Sequence, residues 1–147
     1  MPRENEDMSF NFLIVDDSEV MRKVIKRVVK LAGVDIGELL EAENGKEALS
    51  VLDEYWIDIV FSDLNMPEMD GFELIQSMRM DSTMASIPVV VISTEARQNK
   101  IDEIMEAGAD GFLTKPFKPE DIRNIICETL GVEIDERFTE ESEGSDF

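Results

Sequence analysis

Apolar residues along this chain follow two alternating rhythms: short unbroken runs, and longer stretches where they recur every three or four positions. Residues 10–15 are apolar at almost every position, which suits a strand buried on both faces. Over 18–32, Val20, Met21, Val24, Ile25, Val28, Val29 and Ala32 recur at helical steps. Asp17 or Ser18 is placed to cap that helix and Gly33 to end it. Residues 39–42 predict a short strand at a sheet edge, and 44–56 a second helix built on Ala48, Leu49 and Leu52. A third strand is predicted over 57–62, stopping at Asp63. Residues 64–71 contain Pro67 and an Asp70-Gly71 pair and predict a loop. Phe72, Leu74, Ile75 and Met78 predict a third helix; residues 88–92, rich in β-branched side chains and ending at Ser93, predict a fourth strand. A fourth helix is predicted from about residue 98 to 107 on Ile101, Ile104 and Met105, and a fifth strand over 111–114. The fifth helix, 119–130, carries Ile122, Ile125 and Ile126, with Pro119 at a first-turn position.

Strict alternation of strand and helix implies right-handed crossovers, hence an α/β fold: a five-stranded parallel sheet, doubly wound, with five helices on its two faces. The 147 residues suffice for one such domain and not for two. The expected division is a flexible arm over 1–9, a folded domain over 10–131 and an acidic, flexible tail over 132–147. That tail holds seven acids and one base.

Charge and missing residue types then narrow the function. A net charge of −20 argues against nucleic acid and anionic membrane surfaces, both of which need a basic footprint. The polar, acidic start of the chain lacks the basic and apolar regions of a signal peptide, which leaves the cytoplasm as the expected location. The chain has no histidine and one cysteine, Cys127. Ser-His and Cys-His nucleophile pairs, histidine-ligated zinc and an internal disulfide are thereby excluded. Chemistry must run on carboxylates, hydroxyls, lysine and a hard metal. Cys127, between apolar helix positions, is expected only to pack.

In open α/β sheets, ligands bind beyond the carboxyl ends of the strands. Asp16 and Asp17 follow the first predicted strand and Asp63 the third; Ser93 ends the fourth and Lys115 follows the fifth. If the first and third strands are neighbours, three carboxylates converge on one crevice, with a hydroxyl and an ammonium beside them. Clustered carboxylates oppose one another's ionisation, and a divalent cation relieves the conflict. With oxygen donors only, Mg²⁺ fits, or Mn²⁺ in its place. An isolated Asp16-Asp17 pair would need no more explanation than helix capping; the three further strand-end residues give it one.

The motifs Leu13-Ile14-Val15-Asp16-Asp17-Ser18, Asp63-Leu64-Asn65-Met66-Pro67-Glu68-Met69-Asp70-Gly71, Val91-Ile92-Ser93-Thr94-Glu95-Ala96 and Gly108-Ala109-Asp110-Gly111-Phe112-Leu113-Thr114-Lys115-Pro116-Phe117 stand in this order. Together they resemble the receiver domain of bacterial two-component response regulators, of the stand-alone chemotaxis type, over about residues 10–131. The resemblance implies a flavodoxin-like fold with strand order 2-1-3-4-5. It implies a phosphoacceptor at Asp63 that takes its phosphoryl group from a phosphohistidine on a histidine kinase or phosphotransfer protein. It further implies Mg²⁺ held by Asp17, Asp63 and the carbonyl of Asn65, with Asp16 acting through water. Lys115 and Ser93 would contact the phosphoryl oxygens, and Phe112 would move inward when Ser93 engages them. Asn65 and Glu95 would tune phosphoryl lifetime, and Lys115-Pro116 would be cis. Output would pass to a partner such as the flagellar motor switch, through a face near the fourth helix, fifth strand and fifth helix of a chain that is monomeric when unphosphorylated.

Two rival readings share the fold or the nucleophile. A flavodoxin-like electron carrier needs a Ser/Thr/Gly-rich phosphate loop after the first strand, where this chain has Asp16-Asp17-Ser18-Glu19. Aspartyl-phosphate hydrolases place a second acid two residues after a nucleophile on the first strand; here Asn65 follows Asp63 on the third. Met66-Pro67 and Asp70-Gly71 are read as turn chemistry. On the first helix, Arg22, Lys23, Lys26, Arg27 and Lys30 lie off the apolar stripe. They form either a solvated face or a docking face for an acidic partner.

Overall fold

Strands whose residues are nearly all apolar must hide both faces, and here each strand divides its side chains between two cores. In the computed structural model, which describes residues 9–133, the elements alternate as expected. They are β1 (Phe10–Val15), α1 (Glu19–Leu31), β2 (Ile36–Ala42), α2 (Gly45–Glu54), β3 (Ile59–Ser62), α3 (Gly71–Met80), β4 (Val89–Ser93), α4 (Gln98–Ala107), β5 (Gly111–Thr114) and α5 (Pro119–Leu130). All strand pairings are parallel, in the order β2-β1-β3-β4-β5. Phe12, Ile14, Ile59, Phe61, Val90 and Ile92 face Ile25, Val28 and Val29 of α1 and Ile122 and Ile126 of α5. The alternate residues Leu13, Val15, Val60, Val89 and Val91 face α2, α3 and α4 through Ala48, Leu52, Leu74, Ile75, Met78 and Ile104. The period of two along each strand sorts the apolar runs into these two layers.

Departures from the expected bounds have local causes. β2 begins at Ile36, not 39, because an edge strand needs only one partner and tolerates the exposed Gly37 and Glu38 that interrupt its apolar run. α2 ends at Glu54: Tyr55 turns extended, and the Trp56 carbonyl accepts a hydrogen bond from Asn11 Nδ2 at 2.7 Å. β3 begins at Ile59, since the Asp58 carboxylate takes the Asn11 N–H that a longer ladder would use. Ser18, not Asp17, caps α1 through its side chain, and Val20, expected on the apolar stripe, is 73% exposed. Cys127 is free and half-buried on α5. The expected arm and tail lie almost wholly outside the described residues.

Candidate functional site

The sheet's own hydrogen bonds carry one step past the strand ends and so fix the residues there. Asp16 N–H donates to Ala42 O at 3.1 Å, Asp63 N–H to Val15 O at 2.8 Å, and Lys115 N–H to Ser93 O at 2.7 Å. Each of these residues is tied to the neighbouring strand, and their side chains open into one crevice. Carboxylate oxygens of Asp16, Asp17 and Asp63 all lie within 4.8 Å of one another. Asp16 is buried, Asp63 half-buried and Asp17 exposed at the rim. Lys115 Nζ stands 3.3 Å from Asp16 Oδ2 and 3.7 Å from Asp63 Oδ1. One ammonium thus faces three carboxylates.

That imbalance shows in the acceptor candidate. Burial pushes the Asp63 carboxyl above the usual aspartate range; Lys115 and the Leu64 N–H pull it down, while Asp16 and Asp17 push it further up. The Leu64 N–H holds Asp63 Oδ1 at 2.8 Å, and the Ser18 N–H holds Asp16 Oδ1 at 2.9 Å. The Asp63 and Asp16 carboxylates are therefore oriented, and the group as a whole calls for more positive charge. Oxygen donors at this spacing fit a hard divalent cation.

The other expected residues fall around this crevice in different ways. Ser93 is fully buried at the end of β4, and its Oγ accepts the Glu95 N–H at 3.2 Å, a role that does not use the hydroxyl hydrogen. Phe112 lies opposite Val91 in the β4–β5 register and packs, half-buried, against the core under α2, α3 and α4. Asn65 is exposed on the loop after β3. Glu95 is engaged at the start of α4: its carboxylate accepts from the Ala96 and Arg97 backbone N–H groups and pairs with the Arg97 guanidinium at 2.9 Å. The Arg97 hydrogen bonds hold the Glu95 carboxyl down at about 2. The Lys115-Pro116 bond is cis.

Two contributors escape the sequence reading. Arg22 was expected on an exposed basic face, yet it is only 8% exposed. Its Nη1 donates to the Asp16 carbonyl at 2.7 Å and its Nε to Glu41 Oε1 at 2.9 Å, while Lys26 Nζ reaches Glu41 Oε2 at 3.0 Å. Burial alone would raise the Glu41 carboxyl, but these hydrogen bonds and charges outweigh it and hold it below the usual range. The available signal is Glu41 itself, the one acid in the predicted strand 39–42. Lys23, Arg27 and Lys30 do remain exposed. Asp70-Gly71 does more than turn the chain. Asp70 caps α3 in a reciprocal box with Glu73, and a Cβ on Gly71 would collide with the Asp63 carbonyl oxygen.

The parallel sheet, in this order, carries an acid cluster and a lysine at its carboxyl edge. The family model described as the response regulator receiver domain matches residues 12–127, and the chain belongs to that family. The chain is 36% identical over 120 residues to the chemotaxis protein CheY1 of Helicobacter pylori, covering 81% of this chain and 95% of that protein. It is 33% identical to the chemotaxis protein CheY homolog of Campylobacter jejuni, covering 81% of this chain and 91% of the relative. Among solved structures, the chemotaxis response regulator CheY4 of Vibrio cholerae superposes with a TM-score of 0.74 at 33% identity, covering 82% of this chain and 98% of that one. Among the described residues, no helix is long and apolar enough to cross a membrane.

Proposed function

We propose that this chain is a phosphorylation-controlled switch whose acceptor is Asp63, working in chemotaxis or motility control in the cytoplasm. One observation carries the reading: three carboxylates and one ammonium converge where β1, β3 and β5 end. Asp16, Asp17, Asp63 and the Asn65 carbonyl are the residues to hold Mg²⁺. When bound, the ion supplies the positive charge that lets a carboxylate meet a phosphoryl group. The Asp63 carboxylate attacks the phosphorus of a phosphohistidine on a histidine kinase or phosphotransfer protein. A P–O bond forms as the P–N bond breaks, and the electron pair returns to the imidazole of the donor. Lys115 and the Ser93 hydroxyl then hold phosphoryl oxygens, by point charge and by hydrogen bond.

The switch follows from Ser93. Drawing its hydroxyl toward the phosphoryl group vacates space beside β4, into which Phe112 turns, altering the surface of α4, β5 and α5 that an output protein reads. A flagellar motor switch is such a partner, a reading supported by relatives named as chemotaxis proteins. Unphosphorylated, the chain is a monomer. Water ends the signal by hydrolysing the acyl phosphate, so the chain turns over only its own phosphoryl group. Asn65 and Glu95 set that lifetime through water access, and Glu95 must first leave Arg97 to do so.

Incubation with a small phosphodonor and Mg²⁺, followed by intact mass, tests the reading. One phosphoryl group should appear on the chain, vanish with chelator and be absent from Asp63→Asn. Phosphorylation that survives in Asp63→Asn would overturn it.

A further inference from the structure

We propose that Arg22 is a positioning residue for the divalent cation, holding the peptide that joins Asp16 to Asp17 so that both carboxylates face one point. The inference rests on the reading that these carboxylates bind Mg²⁺, and it concerns a side chain that touches neither the ion nor the phosphoryl group.

An arginine whose side chain is 10% exposed has given up most of its water, which costs several kcal/mol unless its bonds are well placed. Its bonds here are specific. Nη1 meets the Asp16 carbonyl at 2.7 Å, short enough for a charge-assisted hydrogen bond. Nε meets Glu41 on the adjacent strand at 2.9 Å, and Lys26 holds the far oxygen of Glu41 at 3.0 Å. Arg22 is thus braced from β2 while it grips the turn after β1.

What it grips matters. Asp16 is anchored from the other side, since its N–H is bonded to Ala42 O at 3.1 Å. Asp17 lies beyond the last strand bond and is exposed, so the tilt of the Asp16–Asp17 peptide decides where its carboxylate points. The Ser18 N–H bond to Asp16 Oδ1 closes the turn on its far side. The Arg22 bond to the Asp16 carbonyl opposes rotation of this peptide. Partners of this kind, one bond removed from a metal's own ligands, commonly govern affinity by orienting them.

Electrostatics and positioning predict opposite signs, which makes the inference testable. Removing a positive charge near an acid cluster should tighten cation binding if Arg22 acts by charge alone. Loss of the grip should weaken it. Calorimetric titration of Mg²⁺ into the full chain and into Arg22→Gln is expected to show affinity about 10- to 100-fold weaker in the variant. Arg22→Lys keeps the charge without the forked geometry and should fail to restore it. Urea unfolding in chelator, followed through the single tryptophan Trp56, measures any loss of stability separately. A destabilised Arg22→Gln that binds Mg²⁺ as well as the parent, or better, overturns the inference. Should that variant not fold, Glu41→Gln loosens the brace while keeping the guanidinium, and unchanged affinity there overturns it equally. If the parent chain binds no Mg²⁺, the fault lies in the reading of the site, and the role of Arg22 falls with it.

Discussion

At Gly71 the absence of one carbon lets α3 begin directly against the acceptor strand. Its N–H donates to Leu64 O at 2.9 Å, and the Asp63 carbonyl occupies the space a Cβ would fill. The neighbour in the way is backbone, so it cannot rotate aside as a side chain would. Gly71→Ala must shift either the start of α3 or the loop that carries Asp63. We expect a loss of about 1–3 kcal/mol, the usual cost of overpacking. Phosphorylation by a small donor should fall with it, since the acceptor itself is displaced. Urea midpoints and labelling rates measured on the same preparation check both; a variant as stable and as reactive as the parent would refute the argument. Asn44 shows the same economy at a second loop, capping α2 while its amide reaches Glu68 at 3.2 Å.

Among the elements, those at the carboxyl end of the sheet carry the chemistry, and others keep the frame still. Beyond its apolar packing, α3 is tied to the loops flanking β4 and β5 by polar bonds from Arg79. The Arg79 guanidinium donates to Ala85 O at 3.1 Å, Ile87 O at 2.9 Å and Gly108 O at 2.8 Å, and pairs with Asp110 at 2.9 Å. Gly108 has φ +119°, and a Cβ there would press on the Arg79 stem, so the contact requires glycine. Arg79→Met keeps the stem and strips every donor, leaving three carbonyls in two loops without it. Hydrogen bonds to charged groups contribute about 1.5–3 kcal/mol each in favourable settings. Because the site is partly open to water, we expect a net loss on the order of 2–4 kcal/mol. Chemical unfolding would measure it, and a loss below that of a typical surface substitution would show the bridge to be incidental. α1 divides its bases by role: Arg22 and Lys26 bind Glu41, Lys23 pairs along the helix with Glu19 at 3.4 Å, and Arg27 and Lys30 stand exposed.

For the whole molecule, a charge of −20 means that folding gathers like charges. Sodium chloride should therefore raise the unfolding temperature by screening, with no site required. Mg²⁺ at matched ionic strength should raise it further, because a ligand that binds only the folded chain adds RT ln(1 + [L]/Kd), about 2.7 kcal/mol at a hundredfold excess over Kd. Asp63→Asn should abolish the extra rise and keep the part due to salt. Calorimetric scans in the two salts would decide it. Equal effects of the two salts on the parent chain would mean that the acid cluster acts only as diffuse charge.

The sequence by itself determined the order of elements, because apolar runs and helical steps are local and each appears in its own stretch of chain. α4, β5 and α5 fall at the predicted bounds. The acids and the lysine of the site were legible too, since each stands at the end of an apolar run. Tertiary structure alone decided which strands are neighbours, and so whether Asp63 meets Asp16 and Asp17 at all. It also decided the fate of Arg22, which periodicity places among exposed bases and which Glu41, nineteen positions away, draws inward. It made Gly71 a contact as well as a turn. In each case the cause is a partner distant in sequence: periodicity records which face of an element is apolar, and only packing determines what lies against it.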